Sequence, residues 1–266
     1  MRAYVINLAR SADRRMHMSV ELQKVGIPYE FVDGVEGQDL DLTNPQVIDP
    51  SVLATDWFRP GIAGCALSHL RVYEKILLDN LDWALVLEDD AILPNDLEDL
   101  VGTLAGHMNG AEVALLHCQS PDICKMSRHG LIRLPSSRQL VLPVNVNEVG
   151  SAVAYIITRD ACKRMVEGFV PFQAHPDDWG HFFNEGALDR VRCVLPLPVR
   201  VDLSFVSTIG YSNPTGWKAR IRDVALRYNI GFMKQIITYR RERIWRKLAR
   251  VELVDEPFVV MPSRLG

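Results

Sequence analysis

The chain reads as alternating blocks of two periodicities. Ala3–Leu8 is an apolar run interrupted only at Asn7, and it reads as a buried first strand. Ser11 is placed to cap a helix over Asp13–Val25, whose apolar positions Met16, Val20, Leu22 and Val25 recur at helical spacing, and Gly26 closes it. Tyr29–Val32 returns to strand character. Strand, helix, strand in that order predicts a right-handed βαβ unit and a parallel pair.

Residues 34–60 are rich in Asp, Pro and Gly and weakly periodic. A loop of that length inside a compact domain is usually functional. Ile62–Leu78 is predicted helical, with Ile62, Ala66, Leu70, Tyr73, Ile76 and Leu77 along one side. A central strand, Ala84–Leu87, follows. Leu97–Met108 reads as a second crossover helix and Glu112–His117 as a strand. Residues 121–143 carry Ser, Arg and two prolines and read as irregular. Ser151–Thr158 is a strand, Arg159–Glu167 a short helix, and Arg192–Leu197 and Val199–Leu203 late strands. The expected class is α/β: a mixed, mostly parallel sheet flanked by helices.

Charge divides the chain. Met1–Gly216 carries 18 Lys and Arg against 28 Asp and Glu. Trp217–Arg250 carries 11 against 2, and the tail to Gly266 has 1 against 3. A mildly acidic body over 1–216 and a basic extension over 217–266 are therefore the expected domains. The five cysteines, Cys65, Cys118, Cys124, Cys162 and Cys193, are odd in number, and no C-x-x-C pair occurs. They show neither a disulfide framework nor a zinc motif, and reduced buried thiols are expected. The Met1–Asn7 segment turns polar too soon for a secretory signal. No apolar stretch reaches the roughly 18 residues that a spanning helix needs. A cytoplasmic location is expected.

The densest chemical signal follows the central strand: Trp83-Ala84-Leu85-Val86-Leu87 runs straight into Glu88-Asp89-Asp90. Three adjacent carboxylates repel one another unless they face water, cations or a ligand. In open α/β sheets the ligand crevice lies beyond the carboxyl ends of the strands. Hard divalent ions such as Mg²⁺ or Mn²⁺ favour oxygen ligands and bridge carboxylates to phosphates. Glu88, Asp89 and Asp90 are thus candidate metal ligands at a diphosphate site, or else a solvated acidic turn. A second acidic cluster, His175-Pro176-Asp177-Asp178-Trp179-Gly180-His181, suits general-base or metal chemistry. Either aspartate could instead cap a helix through Phe182 and Phe183. A cap needs one acid, which leaves the other for chemistry.

Other classes are disfavoured. Ser68 and His69 are helix neighbours pointing about 100° apart, and no G-x-S-x-G elbow is present. They read as a polar helix face lining a pocket. Neither a G-x-G-x-x-G nor a P-loop motif occurs. A bound diphosphate would need a metal and basic side chains, and Arg10, Arg14 and Arg15 lie just after the first strand.

These blocks together resemble glycosyltransferase family 25. Ile6-Asn7-Leu8-Ala9-Arg10-Ser11-Ala12-Asp13-Arg14 is similar to its I-N-L-x-R-x-x-D-R opening. Gly61-Ile62-Ala63-Gly64-Cys65-Ala66-Leu67-Ser68-His69 is similar to its G-x-x-G-C-x-x-S-H block, and Leu85-Val86-Leu87-Glu88-Asp89-Asp90 to its L-x-L-E-D-D signature. Ala154–Ile157, Asp177-Asp178 and Ser207-Thr208-Ile209 follow in the family's order. The resemblance spans about residues 1–211.

It implies a GT-A-type fold and inverting transfer of a sugar, usually galactose from UDP-galactose, onto lipopolysaccharide or lipooligosaccharide. By position, Asn7, Arg10, Arg14, Ser68 and His69 would flank the nucleotide donor. Glu88, Asp89 and Asp90 would hold Mn²⁺ or Mg²⁺. The Asp177/Asp178 pair would supply the base, with Asp178 slightly favoured. An inverting transfer requires the metal acids and the base to be separate groups, and the sequence supplies two separate clusters. The rivals are a metal-dependent phosphohydrolase built on Glu88–Asp90 with His175, Asp177 and His181, and a sugar-nucleotide-binding module without turnover.

The basic segment reads as helices over about 218–229 and 232–250, with aromatic residues among the cations. Such helices suit an anionic headgroup zone. The implied acceptor is lipid-linked, so docking on the inner face of the cytoplasmic membrane is expected. The competing expectation is a helix packed on the domain through Ile236, Ile237 and Ile244. Nucleic acid is not expected, because the acidic body would repel phosphate.

Overall fold

Strand β1 (Ala3–Asn7) is wholly buried and organises one half of the sheet. The structure, a computed structural model, describes residues 1–120, 122–205, 239–240, 242–243 and 250–258. Helix α1 (Ala12–Val25) follows β1 and leads to β2 (Tyr29–Asp33); α2 (Pro60–Leu78) leads to β3 (Trp83–Glu88). After the short β4 (Ala91–Ile92) come α3 (Leu97–Ala105), β5 (Glu112–Leu115), β6 (Cys124–Arg133), β7 (Gln139–Pro143) and β8 (Ala154–Thr158). Helices α4 (Arg159–Gly168) and α5 (Trp179–Asn184) precede β9 (Arg190–Leu195), β10 (Arg200–Val201) and β11 (Val251–Val254).

Nine strands form one sheet in the order β11-β6-β7-β9-β5-β8-β3-β1-β2, while β10 pairs with β4 in a separate ribbon. Only β7 and β8 run against the remaining strands of the large sheet. The expected mixed, mostly parallel sheet flanked by helices is therefore present. Its two faces carry separate cores. Helices α1 and α3 cover Ala3, Val5, Leu85 and Leu87. Helices α2, α4 and α5 cover Tyr4, Ile6, Ala84 and Val86 on the other side. The period-two alternation of strand side chains sets this division.

Strand β1 pairs with β2 on one side and β3 on the other, both parallel. The helices following β1 and preceding β3 lie on opposite faces, so the chain leaves a crevice beyond the ends of β1 and β3. This is the topological switch point at which open α/β sheets bind ligands.

Helix α1 departs from its expected stripe. Met16 and Val20 are 71% and 53% exposed, whereas Arg14, Met18, Glu21, Leu22 and Val25 face inward. Two polar residues are buried here because each has a partner. Arg14 reaches the acids after β3, and Glu21 accepts the Leu93 N–H at 2.8 Å. The predicted Gly26 stop is correct: Gly26 is left-handed at φ 69°, and its N–H donates to Leu22.

The segment expected as a loop over 34–60 is an ordered loop up to the start of α2 at Pro60, with two 3₁₀ turns, Gly37–Asp39 and Pro50–Ala54, and it buries Ile48 and Val52. Within 121–143, expected to be irregular, Cys124–Arg133 and Gln139–Pro143 form the β6–β7 pair. Much of β6 faces solvent, and its ladder slips between Ser127 and Ile132, so no clean apolar alternation marks it. Strand β11 was also unexpected. Val251–Val254 adds to β6 in parallel, so the tail contributes an edge to the main sheet. Most of 217–250 lies outside the described residues, as does Ser207-Thr208-Ile209. Within it Tyr239, Arg240, Glu242 and Arg243 are helical. Among the described residues no helix is long and apolar enough to cross a membrane.

Candidate active site

The crevice beyond β1 and β3 is a cavity of about 110 Å³. Its walls are the ends of β1 and β3, the start of α1, the loop at Val35–Gly37 and the first turns of α2. Each element brings specific chemistry.

Strand alternation splits the acidic triplet. Glu88 and Asp89 are neighbours on a strand end and must point to opposite faces. Glu88 turns toward α2, where His69 Nε2 lies 3.6 Å from its Oε1. Asp89 turns toward α1 and is held on both oxygens. Its Oδ1 accepts from Arg14 Nε at 2.6 Å, and its Oδ2 accepts from Asn7 Nδ2 at 2.7 Å. Asp90 Oδ2 accepts from Arg14 Nη2 at 2.8 Å, while Asp90 Oδ1 is buried with no hydrogen-bond partner.

Burial works to lower the Arg14 pKa, but Asp90 and Asp89 outweigh it and the net shift is upward. Burial raises the Asp89 carboxyl against the pull of Arg14. The Asp90 carboxyl is pushed up to about 7, first by burial and then by the charges of Glu88 and Asp89, with Arg14 opposing.

The glycine-rich block of α2 has a structural reading. A Cβ on Gly64 would stand 2.6 Å from the Val35 carbonyl and 2.7 Å from Gly37 N. The loop backbone therefore lies directly on the helix. One turn on, Ser68 Oγ accepts the Val35 N–H at 2.8 Å and donates to the Gly64 carbonyl at 2.6 Å. Ser68 is thus a clamp for the loop, not a nucleophile. Cys65 and His69 occupy the adjacent stripe, four residues apart, and face Glu88. His69 Nδ1 is 2.7 Å from the Tyr155 hydroxyl, which is 2.9 Å from that of Tyr73. At the mouth, exposed Arg10 pairs with Glu36 across the opening.

The second acidic cluster resolves into two roles. Asp178 is the N-cap of α5 and accepts the His181 N–H at 3.0 Å. The capping bond engages one oxygen of Asp178, Oδ1. Asp177 is half-buried and accepts the Ser151 N–H at 3.1 Å. Burial raises its pKa, with the Ser151 N–H opposing and Glu88 adding to the rise. Its charge also reaches Cys65.

Ser151, which the sequence did not single out, has φ 97°. Each of its polar groups is engaged: N–H with Asp177, carbonyl with Trp179 Nε1 at 3.0 Å, and hydroxyl with His117 Nδ1 at 2.9 Å. A non-glycine residue held at such φ by its whole surroundings belongs to the strained positions that cluster at functional sites. His117 ends the region of β5 and is lowered to about 4 by burial, with Glu88 opposing.

The Glu88 charge thus reaches groups on α1, on α2, just after β5 and just before α5: Arg14, Cys65, His117 and Asp177. The histidines of the acidic cluster do not join Glu88 as a ligand set. The His175 ring lies tilted against Trp57, with centroids 4.5 Å apart, and His181 packs edge-on against Phe182.

A switch-point cleft with paired acids and a basic side chain at its mouth defines an α/β protein suited to an anionic ligand. The profile of glycosyltransferase family 25 (LPS biosynthesis protein) matches residues 1–179, and the chain belongs to this family. It is 33% identical over 176 residues to a Haemophilus influenzae protein provisionally named a glycosyltransferase, covering 62% of this chain and 56% of that one. It is 25% identical over 205 residues to the lacto-N-neotetraose biosynthesis glycosyltransferase LgtB of Neisseria meningitidis, covering 72% and 70%. It is 23% identical over 165 residues to the lipooligosaccharide biosynthesis protein lic2B of Haemophilus influenzae, covering 61% of each. The chain therefore spans between about half and two thirds of most of these relatives.

Proposed function

We propose that the protein transfers a sugar, galactose from UDP-galactose, onto a lipooligosaccharide or lipopolysaccharide core, with inversion at the anomeric carbon. One observation carries this reading: Glu88, Asp89 and Asp90 line one cleft at the switch point, and Asp177, from a chain segment some ninety residues away, lies within electrostatic reach of Glu88.

Glu88 and Asp90 are the residues that would hold a divalent ion, Mn²⁺ or Mg²⁺. The orphaned Asp90 Oδ1 fits a cation ligand, and an all-oxygen pair suits a hard ion. Asp89 is better read as an anchor, since Asn7 and Arg14 use both its oxygens. When bound, the ion neutralises charge that develops on the departing diphosphate.

The chain's own residues do the rest. Arg10 can exchange its exposed Glu36 partner for a phosphate, with which guanidinium makes stronger, bidentate contact. Arg14 and Asn7 fix Asp89 and Asp90, so the acids meet the donor in a set geometry. Ser68 and Gly64 hold the loop that forms one wall. His69 faces Glu88 at 3.6 Å from the helix side of the cleft. Asp177 takes the proton of the acceptor hydroxyl, and its raised pKa makes it a stronger base than a solvated aspartate. The basic 217–250 segment, in this reading, docks on the anionic inner leaflet beside a lipid-linked acceptor.

The test is incubation with UDP-galactose, Mn²⁺ and a lipooligosaccharide core, following UDP release and acceptor mass. The expected result is one added hexose per acceptor and UDP release that needs both acceptor and cation. Phosphate release without acceptor would support the phosphohydrolase instead. Donor binding without turnover would support a binding module.

A further inference from the structure

We propose that Cys65, His69 and Glu88 form a second cation site, one for a thiophilic divalent ion such as Zn²⁺, in the inner wall of the cleft. It is distinct in chemistry from the hard-ion position between Glu88 and Asp90, and its existence does not depend on the transferase reading.

Three observations meet here. The Cys65 Sγ, a His69 ring nitrogen and a Glu88 carboxylate oxygen all lie within 4.8 Å of one another. Second, His69 is 1% exposed, yet its Nε2 has no hydrogen-bond partner and faces Glu88 at 3.6 Å. A buried ring nitrogen left in that state is costly unless a proton or a cation lies between it and the carboxylate. Third, the other ring nitrogen is fixed by the Tyr155 hydroxyl, itself fixed by Tyr73. Metal-bound imidazoles are held in this way, with the distal nitrogen hydrogen-bonded so that the proximal one is aimed.

The spacing follows from the sequence. Residues four apart on a helix lie on one face, so Cys65 and His69 present two ligands from α2. Glu88 supplies the third because strand alternation sends it to the α2 side. Metal-to-ligand distances of about 2.0–2.3 Å imply ligand separations of roughly 3.3–3.7 Å in a tetrahedral site. With all three atoms already within 4.8 Å of one another, no pair has to close by more than about 1.5 Å, within the range of side-chain torsions. Cys65 and Glu88 line the cavity, so a fourth position opens toward it. Sulfur, imidazole and carboxylate together select Zn²⁺ or Co²⁺ over Mg²⁺. On binding, the Cys65 thiol proton passes to solvent and the sulfur–metal bond forms, with no change of oxidation state. The pattern C-x-x-x-H is too common in helices to mark a site, and its third ligand comes from another strand. The sequence therefore hides it.

The experiment uses the full chain treated with chelator and reductant, then titrated with Co²⁺ and Zn²⁺. The expected result is one Co²⁺ with a thiolate-to-metal charge-transfer absorption, displaced by Zn²⁺. Cys65→Ser should remove that absorption, whereas Cys118→Ser should leave it. His69→Gln should weaken Zn²⁺ binding more than tenfold, and Tyr155→Phe by about 10–100-fold, the usual effect of removing an outer partner of a ligand histidine. Should His69→Gln not fold, Cys65→Ser, at a partly exposed position, still decides the matter. The proposal is overturned if no thiolate absorption appears, if it survives in Cys65→Ser, or if Zn²⁺ affinity is the same in Cys65→Ser as in wild type.

Discussion

Gly64 and Gly102 are both helix glycines, and replacing each by alanine should move stability in opposite directions. Helix propensity alone favours alanine by about 0.8–1 kcal/mol at an interior position. At Gly102, in α3, an added Cβ meets nothing within 4 Å, so that gain should appear undiminished. At Gly64 the same methyl would stand 2.6 Å from the Val35 carbonyl oxygen and 2.7 and 2.9 Å from Gly37 N and Cα. These are backbone atoms, and ordinary contact requires the loop to retreat by roughly 0.8 Å. Forcing a methyl into a packed contact costs typically about 1–3 kcal/mol. Retreat also strains the Ser68–Val35 bond, worth about 0.5–1.5 kcal/mol. Set against the propensity gain, Gly64→Ala should be less stable than wild type by about 1–3 kcal/mol. At roughly 2–4 °C per kcal/mol for a chain of this size, the two variants should melt on opposite sides of wild type. Differential scanning calorimetry of the three proteins reads this directly. The loop at Val35–Gly37 is a wall of the cleft, so UDP-galactose titration should show weakened donor binding in Gly64→Ala alone. If Gly64→Ala melts higher than wild type, as Gly102→Ala should, the close approach of loop and helix is wrong.

Three further outcomes follow from the site. The Asp90 carboxyl, at about 7 in the fold and near 4 in the unfolded chain, keeps in the folded state a proton that the unfolded chain has released over that window. Stability therefore falls as pH rises from about 4 to 7, and Asp90→Asn should gain relative stability from near zero at about pH 4 to on the order of 4 kcal/mol at about pH 8. Urea unfolding of both proteins in chelator checks this, and an equal difference at every pH would contradict it. Asp177→Asn should lower turnover by about 10²–10⁴-fold with donor affinity kept, whereas Asp178→Ala should cost about 0.5–2 kcal/mol of stability through loss of the cap; kinetics beside thermal melts separate the two. Replacing Arg240, Arg241, Arg243, Arg246 and Lys247 by Gln should weaken binding to anionic liposomes, each cation contributing about 1 kcal/mol at low salt, and binding that is indifferent to both salt and charge would refute membrane docking. Charge replacement is preferred to truncation, because β11 lies beyond this segment and pairs with β6.

The half of the fold that carries the site was legible because its periodicities are strong. The β1–α1–β2 unit, α2 and β3 were visible from their strand and helix periodicities, although Met16 and Val20 of the expected α1 stripe lie in solvent, and Gly26 stops α1 as expected. The acidic triplet at the end of β3 led to the cleft directly. What could not be read was set by tertiary pairing. Arg14 and Glu21 look like helix-surface charges until Asp89 and the Leu93 N–H are found beside them. Strand β6 escapes notice because its outward residues are polar, and β11 because four residues after a basic segment carry too little pattern. Asp177 and Asp178 are indistinguishable in sequence. Only the start of α5 shows that Asp178 is the cap. Ser151 had no signal at all, since its importance lies in a backbone angle and three partners from distant elements.

The central claim is that the cleft between β1 and β3 holds the donor's diphosphate on a cation at Glu88 and Asp90. A crystal structure of the protein with UDP-galactose and Mn²⁺, with anomalous scattering collected for manganese, tests it most directly. The account predicts one manganese peak between the Glu88 and Asp90 carboxylates, the diphosphate bound to it and reaching toward Arg10, and Asp89 still held by Asn7 and Arg14. A donor bound outside this cleft, or a diphosphate seated with no metal at these two acids, would contradict it.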